Sequence, residues 1–271
     1  MKKLMTACLL LISTAAMAQT GHEGGKWSIT PRVGMTISGY TNDKEDMYSA
    51  RTGFSVGVEA EYRISPLVGI SGGVFYATQG AKANLNMIRG LGLNGQSFLG
   101  FNKGKNAPLP TLEMFDKSED DFAYCSVYHD LRVEQRNLNI PILVNFHVGK
   151  GLTLKTGIQV EYVMGASIKG KSDGFYYPGE LIPFESYNND GILYRITGEK
   201  IYTSDDVDMG AKSSFHSATL SIPVGISYEY KNFELDARYH WGVSTVVRSS
   251  NSEDDIRSSM LLLTLGYRFN L

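Results

Sequence analysis

Eight stretches of the chain alternate apolar and polar residues with period two, and the last of them, Ser259 to Leu271, runs to the final residue. Successive side chains of a strand point to opposite faces, so each stretch presents one apolar and one polar face. Behind a secretory signal this pattern predicts a transmembrane β-barrel, because a sheet in a bilayer satisfies every backbone group only by closing on itself. The expected fold class is all-β: an eight-stranded antiparallel transmembrane β-barrel with long external loops and short periplasmic turns.

The chain opens with Met1-Lys2-Lys3, an apolar run from Leu4 to Ile12, and small residues ending in Ala16-Met17-Ala18. A charged start, a short apolar centre and an A-x-A-like cleavage site read as a signal peptide over 1–18, with the barrel domain over 19–271. Removing Lys2 and Lys3 takes the formal charge from −2 to −4. Cys8 leaves with the signal, so Cys125 is alone and no intramolecular disulfide is expected despite an oxidising destination. After Ala18 no segment approaches the roughly 20 consecutive apolar residues of a spanning helix.

The predicted strands cover Trp27–Ser38, Phe54–Ile64, Val68–Tyr76, Leu138–Val148, Leu152–Tyr162, Leu220–Tyr230, Phe233–Val243 and Ser259–Leu271. A lipocalin-like barrel would turn the same apolar register inward. Against it, the polar register holds charges such as Glu59, Glu61, Arg63, Lys155, Glu161, Asp236 and Arg238, and the apolar register holds none. Tyr62, Tyr76, Tyr162, Tyr228, Tyr230 and Tyr267 fall near strand ends, where interfacial girdles require aromatics.

Connections alternate strictly between short and long. Ser65-Pro66, Gly149-Lys150-Gly151 and Lys231-Asn232 are turns, whereas Tyr40–Thr52, Gln79–Arg132, Gly165–His216 and Ser244–Ser258 are long. That alternation predicts periplasmic turns, external loops and two periplasmic termini, in the outer membrane of a Gram-negative bacterium. Alternation from Phe122 to Tyr128 predicts that the fourth strand starts far outside the bilayer. Ile192–Ile196 and Lys200–Thr203, joined by Thr197-Gly198, read as a hairpin.

The fourth strand reads LNIPILVNF from Leu138 to Phe146, the sixth reads LSIPVGISY from Leu220 to Tyr228, and the chain closes on Gly266-Tyr267-Arg268-Phe269. The first resembles the Leu-x-Ile-Pro strand of the PorT-like outer-membrane β-barrel proteins of Bacteroidota, and the last is similar to their closing strand. The resemblance covers essentially the whole mature chain except its long loops. It implies an eight-stranded outer-membrane barrel; one branch of the family is associated with a secretion apparatus, and most members have no assigned task. Leu271 departs from the terminal aromatic common in other outer-membrane barrels, though Phe269 lies two residues back on the same face.

Independently of that resemblance, Pro31, Pro141 and Pro223 sit inside strand patterns. Proline removes a ladder donor, and a closed barrel has no edge to hold it, so a bulge or bend is expected at each. The inward register gathers the acids Glu59, Glu61, Glu161, Glu229, Glu234 and Asp236 with the bases Arg32, Arg63, Lys155, Arg238 and Arg268. Eight strands leave an interior just wide enough for side chains to fill. Near-balanced charge there predicts a network of buried ion pairs that plugs the lumen, the alternative being a narrow polar pore.

Little supports catalysis. His240 and Asp236 share a face but lie roughly 13 Å apart along one strand. The other histidines, His22, His129, His147 and His216, show no metal-ligand spacing, and Gly90–Gly95 lacks the Lys-Ser/Thr of a phosphate loop. His129-Asp130 could belong to a loop-borne hydrolase site, or be a solvated surface pair. Phe175, Tyr176, Tyr177, Phe184, Tyr187, Tyr194 and Tyr202 crowd one long loop with Asp173, Glu180, Glu185 and Asp190. Such rings beside acids suit a glycan or protein partner, or pack the loop on itself.

The function expected is that of a non-enzymatic outer-membrane protein, with an envelope-assembly, secretion-associated or surface-binding role through its external loops. A small pore for ions or solutes and a barrel enzyme acting on lipid or peptide are the alternatives. No cofactor and no metal is expected. The partners expected are outer-membrane lipids, the barrel-assembly machinery and a protein or glycan at the loops. Without a basic patch interleaved with aromatics, nucleic acid is not among them.

Overall fold

Alternation becomes strand in all eight predicted stretches, save at Ile64, Arg268 and Leu271, and pairing continues well beyond them. The computed structural model describes residues 27–41, 48–92, 97–103, 122–177, 181–187, 191–196, 199–248 and 255–271, so the expected signal peptide lies outside the described residues. In chain order the strands are β1 (Trp27–Thr41), β2 (Tyr48–Arg63), β3 (Val68–Ala83), β4 (Leu85–Gly92), β5 (Ser97–Lys103), β6 (Phe122–Gly149) and β7 (Leu152–Tyr176). There follow β8 (Leu181–Tyr187), β9 (Gly191–Ile196), β10 (Ile201–Gly210), a 3-10 turn (Lys212–Ser214), β11 (Ala218–Tyr230), β12 (Phe233–Thr245), β13 (Arg257–Tyr267) and β14 (Phe269–Asn270).

Twelve of these strands share one sheet and two form another, which overturns the expectation of eight strands. The long connections are not plain loops. Outer β7 pairs with β10, outer β6 with β4, and β4 with β5. At the other end the last strand breaks at Arg268 into β13 and β14, both against β1. Backbone ladders form whatever the side chains are, so these outer strands need no period-two pattern to exist.

Every ladder is antiparallel. β1 pairs with β2, β2 with β3, β3 with β6 and β6 with β7. From there β7 pairs with β11, β11 with β12, β12 with β13, and β13 with β1. The ladder that leaves β1 through β2 therefore returns to it through β13. The outward register is apolar and uncovered, with Val33 60%, Leu235 62% and Trp241 65% exposed, while the inward register is buried and polar. Aromatic pairs stand at both ends of this outer band: Trp27 with Tyr62 and Phe233 with Tyr267 at the turn end, Phe54 with Tyr76 at the other.

Register shifts fall where the band ends, between Ala50 and Ser55 on β2, Arg136 and Asn137 on β6, and Trp241 and Thr245 on β12. The expected bulges at the prolines are corrected. Register is unbroken on both sides of Pro31, Pro141 and Pro223, and pairing lapses on one flank of each instead. Each proline thus leaves out one donor without displacing its neighbours.

The short turns lie where sequence predicts them. Lys231 and Asn232 both have positive φ (46° and 71°), as a two-residue primed hairpin turn requires, and Lys150 has φ 52°. They share an end with both described termini, where Leu271 N–H donates to Trp27 O at 2.9 Å. The hairpin expected between Ile192–Ile196 and Lys200–Thr203 is also corrected. β9 pairs with β8 in a separate two-stranded sheet, and β10 pairs with β7.

At the far end, residues between β10 and β11 fold back over the interior. Ala211 N–H donates to Ala166 O, and Val163 N–H to Ser217 O, each at 2.9 Å. His216 N–H likewise donates to Val246 O, and Arg248 N–H to Ser214 O. Around this crossing Val133, Val163, Ala166, Ala211, Phe215 and Val246 form an apolar cluster with Tyr40 and Ile168 against it. Val133 and Ala166 continue the inward register of Gln135 and Val163, so the cluster caps the polar interior.

Candidate functional site

Inward charges from five strands meet in the turn-end half of the interior. Lys155 on β7 places its Nζ 3.0 Å from Glu59 Oε1, 2.8 Å from Glu234 Oε1 and 3.2 Å from Asp236 Oδ2. Arg32 on β1 stands 3.3 Å from Glu59 and 2.8 Å from Glu234, and Arg238 pairs with Glu59 and, at 2.8 Å, with Asp236. Arg268 reaches Glu61 at 2.8 Å, Glu234 at 3.3 Å and Glu229 at 3.2 Å. Apart from the half-buried Glu229, all of these groups are buried. Buried charges need opposite partners, and the alternating cations and acids supply them, although Arg32 Nε and Nη1, Asp236 Oδ1, Arg238 Nε and Arg268 Nε make no hydrogen bond among the described residues.

Above this cluster one acid, Glu161, stands among uncharged polar groups. Glu161 is buried and accepts from Ser221 Oγ at 2.7 Å and from Gln79 Nε2 and Gln159 Nε2 at 3.0 Å. Asn137, Asn139 and Gln135 are buried beside Phe75 and Ala77 on the neighbouring strand. Glycine makes room for Phe75: a Cβ on Gly57 or Gly73 would lie 2.5 or 2.7 Å from its ring. His240 is buried, and among the described residues neither of its ring nitrogens has a hydrogen-bond partner.

Two of the sequence-derived lumen charges lie at the mouth. Arg63 is exposed and Glu229 is half-buried, because both stand in the last inward positions before a turn. They line a cavity of about 510 Å³ at the turn end, with His147, Lys231, Arg268 and Asn232. His147, absent from the sequence-derived set, places Nε2 2.7 Å from Glu61 Oε1 and Nδ1 3.0 Å from Thr153 Oγ1. Its place in the polar register of its strand is the signal that could have found it.

The outer extensions carry their own polar centres. Glu134 receives Arg51 at 2.7 Å and Lys169 at 2.9 Å, joining β2, β6 and β7. Partial burial would raise its carboxyl, but the hydrogen bond from Lys169 and the charge of Arg51 hold it below the usual range. His129 Nε2 lies 2.9 Å from Asp173 Oδ2, and Ser204 Oγ donates to Asp173 Oδ1 at 2.6 Å. Those hydrogen bonds, Ser204's first, hold Asp173 below its ordinary value. Here the carboxylate stands between serine and histidine, so no imidazole is positioned to take the serine proton, as nucleophilic hydrolysis requires. Burial pushes the Cys125 thiol up to about 11. Among the described residues no cluster of three His, Cys, Asp or Glu fits a metal ion.

The loop aromatics divide. Phe175, Tyr177 and Tyr202 converge on one ammonium, Lys200 Nζ, at 4.2, 6.0 and 5.8 Å from their ring centres. Phe175 packs edge-on to Tyr177 and Tyr202 at 6.3 and 6.4 Å. Tyr176 is exposed in the opposite register. Phe184, Tyr187 and Tyr194 belong to β8 and β9, and their side chains lie outside the described residues.

Among solved structures, the chain is similar to the attachment invasion locus protein Ail of Yersinia pestis, at 15% identity over 92% of this chain and 100% of that one, with a TM-score of 0.37. It is also similar to a major outer membrane protein from Thermus thermophilus, at 13% identity over 90% and 99% with a TM-score of 0.37. A third is Neisserial surface protein A, at 11% identity over 92% and 100% with a TM-score of 0.34. No curated protein matches the chain. The family model described as the outer membrane protein beta-barrel domain matches residues 17–248. With its apolar outward face, its polar inward face and that match, the chain belongs to the outer membrane protein beta-barrel domain family.

Proposed function

We propose that the protein is a non-enzymatic outer-membrane barrel that binds a protein or glycan partner through its external extensions, in surface binding, envelope assembly or secretion. The observation that carries this reading is the division of the molecule into a filled interior and a large sheet above the band. Among the described residues the ion-paired cluster and the apolar cap occupy the interior, which disfavours a pore. Separation of His129 from Ser204 by Asp173 disfavours a hydrolase.

The LNIPILVNF and GYRF segments favour the PorT-like branch within the family. Strict alternation of short turns and long extensions favours periplasmic termini in a Gram-negative outer membrane. Outer-membrane lipids against the apolar band and the barrel-assembly machinery during insertion are then the obligatory partners.

Removal of residues 181–196, whose two strands pair with each other, tests the surface role. The shortened protein should still change its gel mobility on heating, as a folded barrel does. Cross-linking on intact cells should recover a partner with the full chain and not with the shortened one. Recovery of no partner by the full chain would overturn the reading.

A further inference from the structure

The Lys200 ammonium sits in a cage. β10 pairs with the end of β7 so that Tyr202 stands opposite Phe175. Tyr177 lies two residues beyond Phe175 and Lys200 two before Tyr202, so period-two alternation puts all four on one face. The rings approach Nζ to 4.2, 5.8 and 6.0 Å, within the range at which an aromatic face attracts a cation. Phe175 is 3% exposed and anchors the cage, whereas Tyr202 is 57% exposed and leaves one wall open to solvent.

We propose that Phe175, Tyr177 and Tyr202 form a binding site for an alkylammonium group, occupied by Lys200 of the same chain until a ligand displaces it. Three aromatic faces around one ammonium are the arrangement that recognises alkylated ammonium ligands. Lysine is a compact charge on a flexible stem and can leave, whereas a stacked arginine would be held by its plane. Lys200 immediately precedes the first residue of β10. The surroundings are acidic: Glu199, Asp205, Asp206 and Asp208 are exposed on the same segment, against Lys169 and Lys171 on β7. That field raises the local concentration of cations. This inference rests on the reading that the external extensions bind, and it names the chemistry of one such contact.

Tetramethylammonium is the probe. Its methyl protons, titrated against folded Lys200→Ala protein, should shift upfield in a saturable way, and at least tenfold less readily against the unaltered protein. Adding Tyr202→Ala should abolish the shift. In the unaltered protein, tetramethylammonium should speed acylation of Lys200 by an amine-reactive ester, read by mass spectrometry, more than sodium chloride of equal ionic strength. Choline and Nα-acetyl-lysine amide, titrated against Lys200→Ala, distinguish a quaternary ammonium compound from a peptide lysine as the source, and saturable binding of either supports the site. No saturable shift with Lys200→Ala, a shift that survives Tyr202→Ala, or an unchanged acylation rate would each overturn the proposal. Capture of no partner by the full chain on intact cells would overturn the surface reading alone, leaving these titrations to decide the cage.

Discussion

Lys155 shows what a single buried charge does here. Its ammonium is fully buried and faces Glu59, Glu234 and Asp236 within 3.2 Å, so it neutralises acids that Arg32 and Arg238 also share. Lys155→Met should destabilise the barrel by about 3–5 kcal/mol, the cost of leaving a buried charge without its partner. Adding Glu234→Gln should recover part of that loss, as measured by denaturant unfolding in detergent. Glu134 behaves differently because it lies outside the band and its carboxyl is held low by Lys169 and Arg51. A carboxylate with a depressed folded pKa contributes stability above its unfolded value, ordinarily about 4.5, and loses it as pH falls through the folded one. Amide protection in outer β6 and β7 should therefore fall as pH drops below about 4.5, and Glu134→Gln should remove that step.

At the scale of the strand, the faces are distinguished by their solvent. Val160 on β7 points outward and is 38% exposed, while its neighbour Gln159 is buried and donates to Glu161. Val160→Arg should cost roughly 2–4 kcal/mol, because the charge enters hydrocarbon near mid-strand. Gln159→Arg should cost less, since it meets the Glu161 carboxylate. Equal or reversed costs in bilayer unfolding would mean that inward and outward had been exchanged. The prolines are instructive in the same way. A register held by inward and outward side chains on both flanks resists a one-residue slip, so the sheet gives up one hydrogen bond at Pro141 or Pro223 and keeps its alignment.

For the whole molecule, closure decides transport. The ion pairs beside the turn-end cavity and the apolar cluster around Phe215 lie in series towards the outer extensions. Purified protein in planar bilayers should show no steady single-channel conductance. Removing the side chain of Phe215 alone should not open one, because the charge cluster remains below. A Phe215→Ala protein that conducts steadily would place the seal in the cap.

The chain by itself determined where the spanning strands begin, which side chains face inward, and where the turns fall, because those strands separate two different media and each residue's polarity records its side. Outer strands β4, β5 and β10 carry no sustained alternation of polarity, and only long-range backbone pairing reveals that the long connections are sheet. The same limit applies to the sites. The sequence places Lys155, Glu59 and Glu234 in one register, but which cation meets which acid depends on stagger between strands distant in the chain. It lists Phe175, Tyr177 and Tyr202 among seven loop aromatics, and only the pairing of β10 with β7 singles out these three and sets Lys200 among them.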